Sequence, residues 1–241
     1  MTDPRLNLRG VARTYRGGAG VHDIDLTVQP GEIHALVGLN GAGKSTLMKL
    51  MVGMLRPASG TIELLGHDAR TMTGDQWARV GALVEYPLAY GELDGTTNLR
   101  LAARLHGVPP AAIPQVVETV VEELNLGRYA AVRARRMSLG NKQRLGLAAA
   151  LQHHPDLIVL DEPTNALDPS GVLLLREALL RRAAAGAGVL VSSHHLDEVA
   201  RIATRISVIA EGRMVGSLDP GGVDIERAFF ALVHDAMASS R

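Results

Sequence analysis

The sequence reads Gly38-Leu39-Asn40-Gly41-Ala42-Gly43-Lys44-Ser45-Thr46 directly after the apolar run Ile33 to Val37. This stretch fits the spacing G-x-x-x-x-G-K-[ST], and the expected strand before it and helix from about Lys44 are the context that the pattern requires. Glycines let successive N–H groups point inward at an anion, and the positive end of a helix adds to the attraction. The stretch therefore predicts a cradle for nucleotide phosphates, with Lys44 reaching the β- and γ-oxygens and the Ser45 hydroxyl holding Mg²⁺. A glycine-rich turn that merely ends a strand is the alternative.

An acidic pair follows another apolar run, Leu157 to Leu160. This run would carry Asp161 to the carboxyl edge of a buried strand adjacent to the first, where ligands bind in open α/β sheets. Asp161 is expected to orient the metal, commonly through bound water. Glu162, one residue on, is the natural general base for an attacking water. The alternative is that both acids only cap the following turn.

The remaining pattern predicts an α/β fold with a parallel sheet. Short strands and turns fill the first third, with clear β-type segments at Ile24 to Val28 and Thr61 to Leu65. From about Thr96 to His154 the apolar residues change to helical spacing, which indicates a helical insertion. Later all-apolar runs are typical of strands buried on both faces.

Composition excludes several classes of protein. The 241 residues carry 25 Lys plus Arg against 25 Asp plus Glu, so no basic field favours a nucleic-acid partner. There are no cysteines, which excludes disulfides and thiolate sites and fits a cytoplasmic location. The N-terminus lacks a secretory pattern, and no apolar run reaches the roughly 18–20 residues that span a bilayer. Any membrane role is therefore expected to be peripheral.

Further motifs resemble those of the ATP-binding-cassette (ABC) family. The stretch Met137-Ser138-Leu139-Gly140-Asn141-Lys142-Gln143-Arg144 is similar to the family's signature, usually LSGGQ followed shortly by Gln-Arg. Asn165 to Asp168 resembles the D-loop, Ser192 to His194 the switch histidine, and Tyr15 the aromatic that stacks on adenine. Taken alone, Ser138 is equally a helix N-cap, and His194 and Tyr15 are ordinary residues. Their shared order along the chain is what carries the resemblance.

The resemblance implies a P-loop nucleotidase core with a mainly parallel sheet, an N-terminal antiparallel β subdomain and an inserted α-helical subdomain. It divides a single domain, 1–241, into a core at about 1–84 and 155–218, a helical subdomain at about 85–154 and a C-terminal helix at about 219–241.

The resemblance also implies ATP and Mg²⁺ as cofactors and hydrolysis by Glu162 with His194. It implies that separate membrane-spanning permease subunits hold this chain at the cytoplasmic face of the membrane. The signature residues Ser138, Gly140 and Asn141 would close over ATP held by a second cassette, most simply a second copy of this chain. Asp168 would communicate across that interface.

Two departures from the family pattern stand out. Leu139 replaces the first glycine of the signature and Asn141 its glutamine, so the backbone at Leu139 should be right-handed or extended. Glu85 stands where the family places a glutamine that touches the metal and faces the permease. Either Glu85 is a further Mg²⁺ ligand, or it is a solvated acid at a strand end.

The pattern around Glu85 and the signature is similar to cassettes that export peptide antibiotics, of the lantibiotic-immunity and bacitracin-resistance types. A generic drug exporter is the alternative for the cargo. A non-transport ABC ATPase and a regulatory nucleotide-binding module are the alternatives for the function. In the tail, Ile225 to Val233 resembles a short terminal helix, with Phe229 and Phe230 expected in the core.

Overall fold

The computed structural model describes residues 3–239. The strands are β1 (Leu6–Thr14), β2 (Gly20–Val28), β3 (Ile33–Val37), β4 (Ser59–Leu64), β5 (His67–Asp68), β6 (Val80–Leu83), β7 (Leu157–Leu160), β8 (Gly188–Ser193), β9 (Arg205–Ala210) and β10 (Arg213–Leu218). The helices are α1 (Lys44–Met51), α2 (Gly74–Trp77), α3 (Gly95–Leu105), α4 (Ile113–Glu123), α5 (Leu139–Leu151), α6 (Pro169–Ala184), α7 (Leu196–Ala200) and α8 (Ile225–Ser239). The helices of the middle third and the later parallel strands confirm an α/β fold.

The strands form two sheets. The first is antiparallel, in the order β2-β1-β4-β5. The second has the order β10-β9-β3-β8-β7-β6 and is parallel throughout except for the β9–β10 pair. An antiparallel N-terminal sheet and a mainly parallel second sheet are what the family resemblance implied.

The parallel sheet is buried on both faces. Along β8, Val189 and Val191 pack into the helical side, whereas Leu190 packs toward the antiparallel sheet and α1. Strands covered on both faces read as continuous apolar runs because neither face meets water. This double burial explains why β7 and β8 could be recognised from composition alone.

The order of the strands corrects one expectation from the sequence. The strand before Asp161, β7, was expected next to β3, but β8 pairs with both and lies between them. Strand order is set by packing between distant segments, and a local apolar run carries no information about it. The parallel register nevertheless brings Val37, Ser193 and Leu160 to the same edge of the sheet.

The first and last helices of the helical insertion, α3 and α5, each begin with a hydrogen-bonded cap. Asp94 accepts a 2.7 Å hydrogen bond from the Thr97 N–H at the start of α3. The Ser138 hydroxyl accepts one of 3.3 Å from the Asn141 N–H at the start of α5. Leu139 is the first residue of α5 and therefore has a right-handed backbone, one of the two conformations that were expected.

The C-terminal helix differs from its sequence-based description. It extends from Ile225 to Ser239, which lies within the segment of about 219–241 expected to hold this helix and continues past the short stretch that ends at Val233. Phe229 is buried as expected, but Phe230 is 59% exposed, so its expected core position is wrong. Successive residues of a helix point about 100° apart, and only one of the two rings can face the sheet.

Candidate functional site

The loop from Gly38 to Thr46 lies at a cleft of about 310 Å³ and lines it from Leu39 onward. Its other lining residues are Tyr15, Ala19, Gly20 and Glu162. Gly43, directly before α1, has φ 110°, a left-handed conformation that only glycine adopts cheaply. A methyl group on Gly38 would collide with the Ile209 carbonyl, because the loop passes directly over β9. The loop therefore curls at the start of α1, as an anion cradle requires.

Lys44 is buried at the centre of this loop. Its Nζ donates a 2.7 Å hydrogen bond to the Gly38 carbonyl and lies 3.3 Å from Glu162 Oε1. Backbone carbonyls and one carboxylate hydrogen-bond this buried ammonium group at the point where phosphate oxygens would enter. The predicted phosphate-binding lysine and the predicted base thus share one contact.

Asp161 and Glu162 face different surroundings at the end of β7. The buried Asp161 accepts a 2.5 Å hydrogen bond from the Ser192 hydroxyl, and that hydroxyl accepts a 2.9 Å bond from the Glu162 N–H. Glu162 has φ 46°, an uncommon conformation outside glycine. The turn directs the two carboxylates apart, so only Glu162 lines the cleft.

His194 completes this group from the end of β8. Its Nδ1 lies 2.8 Å from Glu162 Oε2, while Lys44 contacts the other carboxylate oxygen. The neighbouring His195 ring lies against His194, with centroids 3.9 Å apart. The structure therefore brings together three of the predicted residues, Lys44, Glu162 and His194, at one carboxylate.

The signature residues lie away from this cleft. None of Ser138, Gly140 and Asn141 lines it. Gly140 instead packs on the D-loop, where a methyl group would collide with the Ala166 carbonyl. Within one chain the signature and the phosphate loop form separate sites.

Asp168 caps α6, because its Oδ1 accepts a 2.8 Å hydrogen bond from the Gly171 N–H. It also pairs with Arg144 of α5. The Gly171 N–H, together with the Arg144 guanidinium, lowers the pKa of the Asp168 carboxyl. The D-loop is thus fixed to the signature helix as well as to α6.

Glu85 contacts a cation of the protein itself. Its carboxylate pairs with Lys49 on α1, and its backbone has φ 67°. The side chain is 42% exposed. Of the other predicted metal-site residues, Ser45 lines the cleft. Asp161 lies at the end of β7, where it is hydrogen-bonded to Ser192 of β8, and does not line the cleft.

Sequence reasoning missed three residues that organise the site. Ser192 links Asp161 to Glu162, Gln143 Nε2 donates a 3.1 Å hydrogen bond to the Pro163 carbonyl, and Arg144 pairs with Asp168. All three lie inside quoted motifs. Their position beside recognised residues could have marked them as part of the site. Their contacts could not be predicted, because each contact joins residues that are far apart in the sequence.

An apolar groove of about 380 Å³ opens beside Glu85. Its rim carries exposed apolar side chains: Met54, Tyr86, Leu88, Tyr90 and Leu105. Leu88 is 86% exposed. Such clustering on one surface marks an interaction site rather than scattered surface residues. Among the described residues, none of the helices combines the length and apolar character needed to cross a membrane.

Comparison with known proteins places this geometry in a family. A family model described as "ABC transporter" matches residues 21–165. The bacitracin transport ATP-binding protein BcrA of Enterococcus faecalis is 36% identical over 87% of this chain and 68% of its own length. The lantibiotic transport ATP-binding protein SrtF of Streptococcus pyogenes is 33% identical over 87% of this chain and 89% of its own. For YcbN, an uncharacterized ABC transporter ATP-binding protein of Bacillus subtilis, the match is 35% identical and spans 66% of that protein's length.

Solved structures agree. A structure described as the ATP binding subunit of an ABC transporter superposes with a TM-score of 0.83 at 29% identity, over 98% of both chains. The structure of cbiO1 from Clostridium perfringens, described as part of the ABC transporter complex cbiONQ, has a TM-score of 0.78 at 24% identity and shows the shared fold. With the matched segment covering the phosphate loop, the signature and the acid pair, the chain belongs to the ABC transporter family, among its ATP-binding proteins.

Proposed function

We propose that this chain binds and hydrolyses ATP to power transport through separate membrane subunits. The contact group of Lys44, Glu162 and His194 at the mouth of the phosphate cleft carries the proposal. A carboxylate held between a buried ammonium and an imidazole is positioned at the end of the triphosphate site. This arrangement suits activation of water for attack on the γ-phosphate.

In the proposed reaction Glu162 accepts the proton of the attacking water, and His194 holds the Glu162 carboxylate in place. Lys44 would neutralise charge on the β- and γ-oxygens. The hydroxyl of Ser45 and the carboxylate of Asp161 are oxygen donors of the kind that Mg²⁺ prefers, and they fit its usual role with nucleoside triphosphates. Bound Mg²⁺ would neutralise charge on the phosphate oxygens as the bond to the leaving group breaks.

A second cassette completes the proposed site. The start of α5 presents the Ser138 cap and the positive end of a helix, but it lies outside its own chain's cleft. Two copies arranged head to tail would bring each signature to the other's nucleotide. Separation of the two half-sites within one chain supports this arrangement, and hydrolysis would then wait for closure.

The apolar groove beside Glu85 is the proposed docking surface for a membrane-spanning permease. Tyr86, Leu88 and Tyr90 are exposed and lie in the segment that follows Glu85, so a partner seated there would contact the chain close to α1 and the phosphate loop. A short amphipathic helix of the permease has the shape and apolar character to fill such a groove. The protein would act at the cytoplasmic face of the membrane.

Peptide antibiotics are the proposed cargo. The support is similarity to proteins named for bacitracin and lantibiotic transport. The cargo path would lie in the permease, and export is the proposed direction.

Replacing His194 tests the hydrolytic function with a matched neighbour as control. We expect His194→Ala to lower phosphate release at saturating MgATP by about 10²-fold, since the Glu162 carboxylate loses the group that orients it. His195→Ala removes an adjacent ring that does not contact Glu162, and we expect it to retain most of the activity. Equal rates in both variants would refute the role of His194.

Replacing Leu88 tests the docking surface. We expect Leu88→Glu to abolish co-purification with the permease, because a charge would be buried in an apolar contact. Leu180→Glu places the same charge on α6, outside the groove, and is the control. Undiminished co-purification of the Leu88 variant would place the permease elsewhere.

A further inference from the structure

A cation lies over the ring at the mouth of the nucleotide cleft. The guanidinium carbon of Arg13 is 5.5 Å from the centroid of the Tyr15 ring. Tyr15 lines the cleft together with the phosphate loop and is 40% exposed. A separation below about 6 Å is within the range of attraction between a cation and an aromatic face. One face of Tyr15 is therefore occupied by the protein's own side chain.

Both partners are held in place by the β1–β2 hairpin and its surroundings. Arg13 is anchored by a 2.8 Å hydrogen bond from Nη1 to the Arg56 carbonyl. The Tyr15 backbone is fixed by a 2.7 Å hydrogen bond from its N–H to the Ala19 carbonyl. The Arg13 Nε is buried and has no hydrogen-bond partner among the described residues. The guanidinium group of Arg13 therefore contacts the Tyr15 ring without using all of its hydrogen-bond donors.

We propose that Arg13 is a positioning residue for the nucleotide base: it holds the Tyr15 ring by one face so that the opposite face receives the purine. This inference deepens the proposed function and rests on Tyr15 being the residue that stacks on the base. A ring without a fixed partner samples several χ1 rotamers and loses that freedom when a ligand stacks on it. A ring already held by Arg13 loses less, and binding of the base is correspondingly stronger.

The proposal separates recognition of the base from recognition of the phosphates. The loop from Gly38 to Thr46 and Lys44 bind the phosphate chain without involving Arg13. Removing Arg13 should therefore weaken only ligands that carry a base. If the Arg13 charge instead attracted phosphate directly, ligands with and without a base would weaken alike.

The experiment measures dissociation constants of two Mg²⁺-bound probes, adenylyl imidodiphosphate and inorganic tripolyphosphate. It uses the full chain with Arg13→Ala, Tyr15→Ala and both together, and compares each with the unchanged protein. Arg9→Ala removes a charge from the exposed side of the same strand and is the matched control. Arg13→Lys keeps the charge but loses the planar group that lies on the ring.

We expect Arg13→Ala to weaken adenylyl imidodiphosphate about two- to fivefold, because the freed Tyr15 ring must then lose its rotamer freedom when the base stacks on it. Tripolyphosphate affinity should stay the same, and Arg13→Ala should have no further effect once Tyr15 is alanine. Arg13→Lys should restore only part of the loss. Equal weakening of both probes, or an undiminished effect of Arg13→Ala without the ring, overturns the proposal.

The controls separate this inference from the function on which it rests. If Tyr15→Ala weakens the nucleotide but Arg13→Ala does not, Arg13 has no positioning role while the stacking role of Tyr15 stands. If Tyr15→Ala leaves the nucleotide affinity unchanged, the base binds elsewhere and both ideas fail. Thermal unfolding of each variant identifies any loss of affinity that comes from damage to the hairpin.

Discussion

Replacing Glu123 by alanine should uncouple the helical insertion from the sheet core. Glu123, at the end of α4, accepts hydrogen bonds of 2.7 Å on each carboxylate oxygen from Arg182 of α6. Their side chains are 12% and 9% exposed. Arg182 also donates to the backbone carbonyls of Ala178 and Leu151. This nearly buried, bidentate pair fixes α4 on the helix that follows the D-loop.

The expected loss of stability follows from what the substitution leaves behind. Removing one partner of a buried ion pair costs about 3–5 kcal/mol, since the other charge remains buried without compensation. In the variant, Arg182 keeps its hydrogen bonds to two backbone carbonyls. We therefore expect a loss at the lower end of this range, about 3 kcal/mol. For a chain of this size that corresponds to a fall in Tm of about 6–12 °C.

The pH dependence has a defined sign. Burial by itself raises the pKa of the Glu123 carboxyl, but hydrogen bonds from Arg182 and Arg181 outweigh it and leave the pKa below 4.5. A depressed pKa means that the pair stabilises the folded protein above the unfolded-state pKa and loses this effect as pH falls through the folded-state pKa. The difference in the free energy of unfolding between the unchanged protein and the variant should therefore reach its full value at pH 7 and decrease as the pH falls below 4.5.

Urea denaturation followed by circular dichroism measures this difference, with Glu122→Ala as the control. Glu122 is the preceding residue of α4 and is exposed, so its replacement should change the free energy of unfolding by less than about 0.5 kcal/mol. If the two variants were equally stable at pH 7, the pair would not connect the helical insertion to the core.

Two further substitutions test the interface elements. Gly140→Ala drives a methyl group into the Ala166 carbonyl, so it should weaken ATP-dependent dimerisation in sedimentation while leaving nucleotide binding by the monomer unchanged. Gly127→Ala is the control, because its added methyl group meets no atom within 4 Å and should leave dimerisation unchanged. If the Gly140 variant dimerised as well as the unchanged protein, the contact with Ala166 would have no role in dimerisation. Glu85→Gln breaks the half-exposed pair with Lys49 and should cost less than about 1 kcal/mol of stability. If Glu85 binds Mg²⁺, the same substitution should raise the Mg²⁺ concentration needed for half-maximal ATPase activity of the assembled complex, because an amide is a weaker ligand than a carboxylate. If ATPase activity and transport were unchanged, Glu85 would have no special role.

Local sequence was sufficient for the parts of the site that depend on local geometry. The phosphate loop combines glycines that permit left-handed backbone with a helix that starts at Lys44, and both are visible within nine residues. The Ser138 cap was recognisable for the same reason. The β7 and β8 strands were recognisable because double burial leaves continuous apolar runs.

Contacts between distant segments could not be predicted in this way. The placement of β8 between β3 and β7, and the pairing of Glu85 with Lys49, depend on how separate elements pack. The Arg182–Glu123 pair joins residues 59 positions apart. No periodicity in the sequence indicates which of its charged residues form ion pairs in the folded protein. The Arg13 contact with Tyr15 was also missed, although the two residues are only two positions apart, because a strand pattern does not indicate what covers an exposed ring.

The central claim is that Glu162 activates water for ATP hydrolysis, and Glu162→Gln tests it most directly. The amide keeps the shape of the side chain but cannot accept the proton. Phosphate release at saturating MgATP should fall by about 10²–10⁴-fold, while ATP still binds and an ATP-bound dimer accumulates. Glu211→Gln, at another left-handed glutamate close to the phosphate loop, should retain activity. Near-normal turnover by the Glu162 variant would contradict the account.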